Sequence, residues 1–166
     1  FVDLDNFKFV NDSLGHAAGD LLLVETGRRL VDSLPDTDTV VRYGGDEFVL
    51  ILSDDVSLGR AVLSLERIKR AVAQPLTIRG RELRIDCSIG VGVHPGDGGD
   101  LQSLLRQADI AMHHAKAQGK GQFQFYTDTL NTAAHERLLL ESALRGANER
   151  GELRVVYQPK VDRDRR

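Results

Sequence analysis

The chain has 166 residues, of which 41% are hydrophobic and 28% are charged, and its formal net charge is -3. A chain of this length can bury the core of one compact domain, and two self-sufficient small domains are not expected. The low net charge, without a basic run, argues against nucleic acid or an acidic membrane as a partner. The single cysteine, Cys87, excludes an internal disulfide framework and predicts a reducing, cytoplasmic location. No apolar run approaches the ~20 residues of a membrane span, so we expect no direct membrane contact from this segment.

Strand and helix signals alternate from the start of the chain. Residues 1–4 are a short strand candidate, and apolar residues at helical spacing predict a helix over 16–34. Two β-rich runs, 39–43 and 47–52, flank the glycine-containing segment 44–46. Glycine reaches positive φ without strain, so these runs predict a β-hairpin.

The same alternation continues to residue 126. Helical spacing predicts helices over 58–72 and 101–115, and 122–126 reads as an edge strand. Between the helices, the runs 75–78 and 82–93 predict a second hairpin, and regular alternation in 82–93 predicts one antiparallel strand with one buried face. The two hairpins exclude a purely parallel sheet. The order of elements therefore predicts an α+β fold, with helices packed on a central mixed sheet that contains antiparallel strands.

A new set of predicted elements begins after residue 127. A new helical pattern covers 130–148, and residues 151–162 read as a new strand. We therefore predict one domain over 1–127 and the truncated start of a second unit over 128–166. Because the chain begins without Met and inside a predicted strand, we expect it to be a fragment of a longer protein.

Four acidic residues adjoin apolar strand runs. Asp3 and Asp5 end the first strand, and Asp46 and Glu47 stand at the tip of the first hairpin. Each alone is most simply a cap or turn residue, but four acids beside buried strands favour a site. Oxygen ligands from two segments predict binding of Mg²⁺ or Mn²⁺. Two such ions can hold the attacking oxygen and the leaving oxygen of a phosphoryl transfer in line. Gly44–Gly45 either forms the hairpin turn or leaves room for a bulky ligand.

Polar residues near the helix ends have two interpretations. Asn11 and Asp20 can be helix caps, but an amide and a carboxylate together can also bind the edge of guanine. Lys116 and Lys120 can complement the dipole of the last helix, or they can neutralise a triphosphate.

Three sequence motifs, in this order along the chain, resemble those of the GGDEF family of diguanylate cyclases. They are FVDLDNFKFVNDSLGHAAGD at 1–20, RYGGDEF at 42–48 and AMHHAKAQGKGQ at 111–122. The resemblance covers residue 1 to about 127. It implies a nucleotidyl-cyclase-like fold and the joining of two GTP molecules into cyclic di-GMP with release of two pyrophosphates. It also implies a homodimer, because each domain binds one GTP and each 3′-hydroxyl attacks the α-phosphate of the other.

The resemblance also implies roles for individual residues. The implied ligands of two Mg²⁺ or Mn²⁺ ions per active site are Asp3, the backbone carbonyl of Leu4, Asp46 and Glu47. Of these, Asp46 and Glu47 are the implied catalytic residues, with Asp46 accepting the 3′-hydroxyl proton, and Asp5 orients the metal ligands. The implied substrate-binding residues are Lys8, Asn11, His16, Asp20, Gly44, Gly45, Lys116 and Lys120, with Asn11 and Asp20 reading guanine.

The chain departs from the family pattern at three places. The product-inhibition motif Arg-x-x-Asp reads Pro35 to Asp38 here, so we expect no inhibition by product at that site. Lys120 replaces the usual Arg, which keeps the charge but loses the planar fork. The resemblance implies an opening helix before residue 1, so we expect residues 1–127 to be the domain without its first helix.

Residues 136–162 resemble the opening of an EAL phosphodiesterase domain. The Glu-Ala-Leu motif and the metal ligands beyond it are absent, so we expect no phosphodiesterase activity from this chain. The implied parent is a tandem GGDEF-EAL signalling protein, which can be anchored in a membrane through an upstream segment. The alternative function is a regulatory module that binds GTP and controls the adjoining phosphodiesterase, with no turnover of its own.

Overall fold

The structure, a computed structural model, describes residues 1–52, 58–78 and 80–130 and the isolated positions 144, 147, 152, 154 and 156. The chain divides into two compact units, Phe1–Asn131 and Thr132–Arg166. Apart from those isolated positions, the helix and strand expected in the second unit lie outside the described residues. The predicted boundary near residue 128 and the EAL resemblance therefore stay predictions.

The described residues contain seven strands and four helices. The strands are β1 Val2–Leu4, β2 Thr39–Gly44, β3 Glu47–Ile51, β4 Leu76–Ile78, β5 Arg81–Leu83, β6 Cys87–Val91 and β7 Phe123–Phe125. The helices are α1 Phe7–Leu14, α2 His16–Asp32, α3 Leu58–Val72 and α4 Leu101–Ala117. None of these helices combines the length and apolar character needed to cross a membrane.

Five of the strands form the central sheet, in the order β2-β3-β1-β6-β7, and β4-β5 form a separate two-stranded hairpin. The pairs β2-β3, β3-β1 and β1-β6 are antiparallel, whereas β6 and β7 are parallel. This mixed sheet with its helices confirms the predicted α+β class. The predicted edge strand is also confirmed, because β7 lies at one edge of the sheet.

The β2–β3 hairpin is confirmed in detail. Its register runs from Thr39 opposite Ile51 to Gly44 opposite Glu47, with an irregularity between Arg42 and Gly44. Gly45 has φ +48°, a left-handed conformation that favours glycine. The Arg42 guanidinium donates two hydrogen bonds to the carbonyl of Gly45, at 3.1 and 2.8 Å. A glycine turn and an arginine clamp thus hold the hairpin tip.

The short strand β1 lies at the centre of the sheet, between β3 and β6. Val2 and Leu4 belong to a continuous hydrophobic cluster that includes Leu22 of α2 and Ile68 of α3. Because side chains alternate along a strand, Asp3 points to the opposite face from Val2 and Leu4. The core therefore fixes the strand that carries the first predicted ligand.

Two elements differ from the sequence prediction. Helix α1 precedes α2 and ends at Leu14, and the next residue, Gly15, has φ +82°. Its apolar residues Phe7, Val10 and Leu14 are at helical spacing, but the surrounding polar residues obscured the pattern. The single strand predicted over 82–93 is two strands, because β5 pairs with β4 while β6 pairs with β1 and β7. Alternation along a run of residues does not indicate which strand is the partner.

Helix α4 packs directly on β6 at Gly90. A Cβ atom at this position would overlap the backbone carbonyl oxygen of Ala108 and the backbone nitrogen of Met112. Backbone atoms cannot rotate away as a side chain can, so a substitution must separate the helix from the sheet. Gly90 thus sets the distance between α4 and the strand beside β1.

We expect Gly90→Ala to lower the free energy of unfolding by about 1–3 kcal/mol or more, the usual cost of overpacking a core. The control is Gly27→Ala in α2, where a Cβ would lie at 3.7 Å from Cε1 of Phe48, an ordinary contact. There the better helix propensity of Ala should add roughly 0.5–1 kcal/mol. Denaturant unfolding of both variants in the full chain measures the difference. Equal stability of the two variants would contradict the close packing of α4 on β6.

Candidate active site at the end of the central strand

The structure brings the predicted acidic residues together from two segments of the chain. Asp3 of β1 lies opposite Glu47 of β3 in the antiparallel register. The backbone N–H of Leu4 donates to the carbonyl of Asp46 at 3.2 Å. The hairpin tip therefore lies beside the end of β1, and the side chains of Asp3, Asp46 and Glu47 form what we call the carboxylate cluster.

Negative charge in the carboxylate cluster is poorly compensated. Burial raises the pKa of Asp3, the Lys116 ammonium opposes this rise, and the charges of Asp46 and Asp5 add to it. Burial also raises the pKa of Glu47, and the charges of Asp3, Asp109 and Asp46 raise it further. Raised carboxyl pKa values mean that the cluster disfavours its own ionisation. A bound cation would relieve this cost.

One cation of the chain already lies at the cluster. The ammonium of Lys116, on α4, is 2.7 Å from Oδ2 of Asp3, and the Asp3 side chain is only 9% exposed. This ion pair links α4 to the centre of the sheet. It also places a positive charge at bonding distance from one oxygen of the cluster, Oδ2 of Asp3.

The donor chemistry of the cluster fits a hard divalent cation, although the described residues contain no three His, Cys, Asp or Glu side chains already arranged as a metal site. Mg²⁺ usually binds through one or two carboxylates, with substrate phosphates and water completing the shell. Asp3, the carbonyl of Leu4, Asp46 and Glu47 supply oxygen ligands of this type. The predicted metal-binding roles of these residues stay predictions.

The residues expected to read guanine lie on α1 and α2. Asn11 is half-buried, whereas His16 and Asp20 are exposed on the first turns of α2. A Cβ atom at Gly19 would overlap the side chain of Asn11 and lie at 3.1 Å from Cζ of Phe7. Gly19 therefore allows the Asn11 side chain to lie against α2, one residue from Asp20. Lys8, which the resemblance places on the phosphate side of the substrate, is exposed on α1.

Lys120 lies in the loop that follows α4. Its ammonium donates to Oδ1 of Asn6 at 2.7 Å. A cleft of about 570 Å³ opens here between the β1–α1 turn, residues 83–86 and the loop 119–121. Of the residues to which the family resemblance assigns a role, Asp5 and Lys120 line this cleft. Lys116 and Lys120 thus both contact the segment from Asp3 to Asn6.

Sequence reasoning missed the role of Ser88. The prediction of one buried face placed Ser88 on the exposed side of its strand, but the side chain is fully buried, as are the neighbouring residues Cys87 to Gly90. Its hydroxyl donates to Oδ1 of Asp5 at 2.8 Å. Alternation could not reveal this contact, because the polar face of β6 is covered by α4.

The comparison with known proteins decides the family. Residues 1–122 match the family model described as the diguanylate cyclase GGDEF domain. The chain belongs to the GGDEF family. It is 45% identical over 161 residues to the bifunctional diguanylate cyclase/cyclic di-GMP phosphodiesterase MucR of Pseudomonas aeruginosa, covering 97% of this chain and 23% of MucR. It is 38% identical over 159 residues to the cyclic di-GMP phosphodiesterase NbdA of the same organism, covering 96% of this chain and 20% of NbdA.

Solved structures support the same assignment. The isolated GGDEF domain of YfiN, also called TpbB, from Pseudomonas aeruginosa matches with a TM-score of 0.78 and 32% identity, covering 81% of this chain and 78% of that one. The chain spans about a fifth to a quarter of the length of the curated relatives it matches. Family membership and fold thus agree, and both concern the GGDEF domain, not the longer protein.

The charge repulsion in this GGDEF domain predicts a pH-dependent stability. Because the pKa of folded Glu47 lies above its ordinary value, ionised Glu47 destabilises the fold. The cost is absent below the ordinary pKa and grows as the pH rises through the folded pKa. We expect Glu47→Gln to unfold at a higher temperature than the wild type at pH 7, with the difference shrinking toward pH 4.

Thermal unfolding of the full chain without added divalent cations measures this effect. The matched control is Asp36→Asn, which alters an exposed carboxylate in the loop before β2. Its unfolding temperature should follow that of the wild type at both pH values. A Glu47→Gln variant that is less stable at neutral pH would show that Glu47 is stabilised by its surroundings.

Proposed function

We propose that this GGDEF domain joins two GTP molecules into cyclic di-GMP, as a homodimer in the cytoplasm within a longer signalling protein. The observation that carries the proposal is the carboxylate cluster, in which Asp46 and Glu47 of the hairpin tip stand beside Asp3 with Lys116 at bonding distance. The similarity to MucR, whose name includes diguanylate cyclase, supports the same activity.

The chemistry is a phosphoryl transfer carried out twice in the dimer. The 3′-oxygen of one GTP bonds to the α-phosphorus of the other, the bond from that phosphorus to the β-phosphate oxygen breaks, and pyrophosphate leaves. The carboxylate of Asp46 accepts the proton of the attacking hydroxyl. When bound to Asp3, the Leu4 carbonyl, Asp46 and Glu47, two Mg²⁺ or Mn²⁺ ions supply positive charge to the phosphate oxygens.

The remaining residues bind and orient the substrate. The Asn11 amide can donate to the guanine carbonyl, and the Asp20 carboxylate can accept from the guanine N–H groups. Gly19 supports this pair by making room for Asn11. Lys116 and Lys120 neutralise the triphosphate from the α4 side. Lys8, His16 and Gly44–Gly45 complete the proposed substrate-binding set.

Removal of either hairpin carboxylate tests the proposal. We expect Asp46→Asn and Glu47→Gln to lower the rate of cyclic di-GMP formation from GTP and Mg²⁺ by at least about 10²-fold, the usual contribution of a positioned proton acceptor. Asp36→Asn should retain the wild-type rate. The assay is product formation by the full-length protein, with thermal unfolding to confirm that each variant folds. The proposal would be refuted if both variants retained turnover. It would also be refuted if the wild type formed no product even when its dimerisation is enforced, for example by fusion to a dimeric coiled coil.

A second candidate function is regulation. NbdA, which is 38% identical to this chain, is named a cyclic di-GMP phosphodiesterase. In this alternative the GGDEF domain binds GTP without turnover and controls an adjoining EAL phosphodiesterase domain in the same parent chain.

The two functions separate in one experiment on the full-length protein. Regulation predicts that GTP changes the rate of cyclic di-GMP hydrolysis while no cyclic di-GMP forms from GTP. Asp20→Asn should abolish this response, because guanine recognition is needed for GTP binding in either function. A hydrolysis rate that is independent of GTP, together with product formation from GTP, favours the cyclase.

A further inference from the structure

Asp5 is a buried carboxylate whose two oxygens are both bound by the protein. It follows β1 and is only 4% exposed. Oδ1 accepts a hydrogen bond from the Ser88 hydroxyl at 2.8 Å, and Oδ2 accepts one from the backbone N–H of Gly121 at 2.9 Å. The backbone N–H of Asp5 donates to the carbonyl of Asp86 at 2.9 Å. Asp5 therefore joins the β1–α1 turn to the start of β6 and to the loop after α4.

The loop that Asp5 binds has an unusual backbone. Gly119, Lys120 and Gly121 have φ values of +126°, +64° and +59°. A left-handed conformation is unfavourable for a residue with a side chain, and it persists where the surrounding structure imposes it. The backbone N–H of Lys120 donates to the carbonyl of Ala115 at 3.2 Å, which closes the end of α4. The bond from Gly121 to Asp5 holds the other side of Lys120.

A second left-handed residue faces this loop. In the part of the chain that the structure describes, Asn6 and Lys120 are the non-glycine residues with positive φ. They are bonded to each other, since the Lys120 ammonium donates to Oδ1 of Asn6 at 2.7 Å. Asp5 directly precedes Asn6 in the chain. One buried carboxylate thus adjoins two strained residues, and such residues cluster at functional sites.

We propose that Asp5 is a positioning residue that fixes the Lys120 loop against the β1–α1 turn and presents Lys120 to the substrate triphosphate. This inference rests on the proposed function in taking GTP as the ligand. It assigns Asp5 a different role from that of Asp3, although both residues belong to the same sequence motif. Asp3 carries a cation at 2.7 Å, whereas the oxygens of Asp5 accept from a hydroxyl and a backbone amide in the interior.

The proposal predicts that loss of the Asp5 carboxylate weakens binding of GTP, which carries phosphates, but not of guanosine, which has none. Without the Asp5 carboxylate the loop is released, so we expect Asp5→Ala to weaken GTP binding by about tenfold, which is about 1.4 kcal/mol. Binding of guanosine should be unchanged, because Asn11 and Asp20 lie on α1 and α2. Lys120→Ala should give the same pattern, and the double variant should be no weaker than either single variant. Isothermal titration of the full chain in EDTA measures these affinities independently of metal and turnover.

A conservative variant separates positioning from metal binding. Asn at position 5 can accept from Gly121 and donate to the Ser88 hydroxyl, which accepts as well as donates. We therefore expect Asp5→Asn to retain GTP affinity and cyclic di-GMP formation within about threefold, a change of less than 1 kcal/mol. Asp3→Asn should lose product formation. This comparison remains decisive if Asp5→Ala does not fold.

Four outcomes overturn the inference. Unchanged GTP affinity in folded Asp5→Ala, or an equal loss for GTP and guanosine, would show that Asp5 does not act through Lys120. Asp5→Asn that binds GTP but is as inactive as Asp3→Asn would make Asp5 a metal ligand. A wild type that binds guanosine but not GTP, both in EDTA and with Mg²⁺, refutes the proposed function and the inference together, whereas the other three outcomes leave the proposed function intact.

Discussion

Buried negative charge at the end of β1 is the constraint on which the rest of this structure depends. Asp3 and Asp5 are 6% and 4% exposed, yet they belong to the central strand of the sheet and the turn that follows it. A buried carboxylate is costly unless it is paired or hydrogen-bonded. The fold meets this requirement in two ways: Lys116 pairs with Asp3, and Ser88 and Gly121 donate to Asp5. Helix α4 and the loop after it therefore have to lie close to β1.

The close packing of α4 follows from this requirement. Gly90 lets the helix backbone approach β6, which brings Lys116 within reach of Asp3. The loop 119–121 then turns back through three left-handed residues toward Asp5 and Asn6. The glycine at position 90 and the left-handed backbone of residues 119–121 both allow α4 and its following loop to lie close to β1. Packing and charge compensation thus determine the position of both proposed phosphate-binding lysines.

Compensation remains incomplete on the hairpin side. The pKa values of Asp3 and Glu47 are raised, so the folded protein keeps carboxylates together against their mutual repulsion. A protein selected only for stability would gain from neutral residues at these positions. Retention of the charge is consistent with a site that becomes stable when a cation and a polyanionic substrate bind. The mixed sheet provides rigid support, since the hairpin tip is held by β1 on one side and by the Arg42 clamp at the turn.

The sequence by itself determined much of the architecture. Periodicity predicted α2, α3 and α4, turn glycines predicted the β2–β3 hairpin, and the motif order indicated the GGDEF family. These features depend on neighbours along the chain, which a pattern can record. Helix α1 was obscured by polar residues, and the run 82–93 was predicted as one strand because alternation does not identify strand partners. Only the tertiary structure decided that Ser88 is buried, that Asp3 and Asp5 have different partners, and that Lys116 and Lys120 reach the β1–α1 segment. These contacts join residues more than 80 positions apart, and their geometry depends on how closely α4 approaches the sheet.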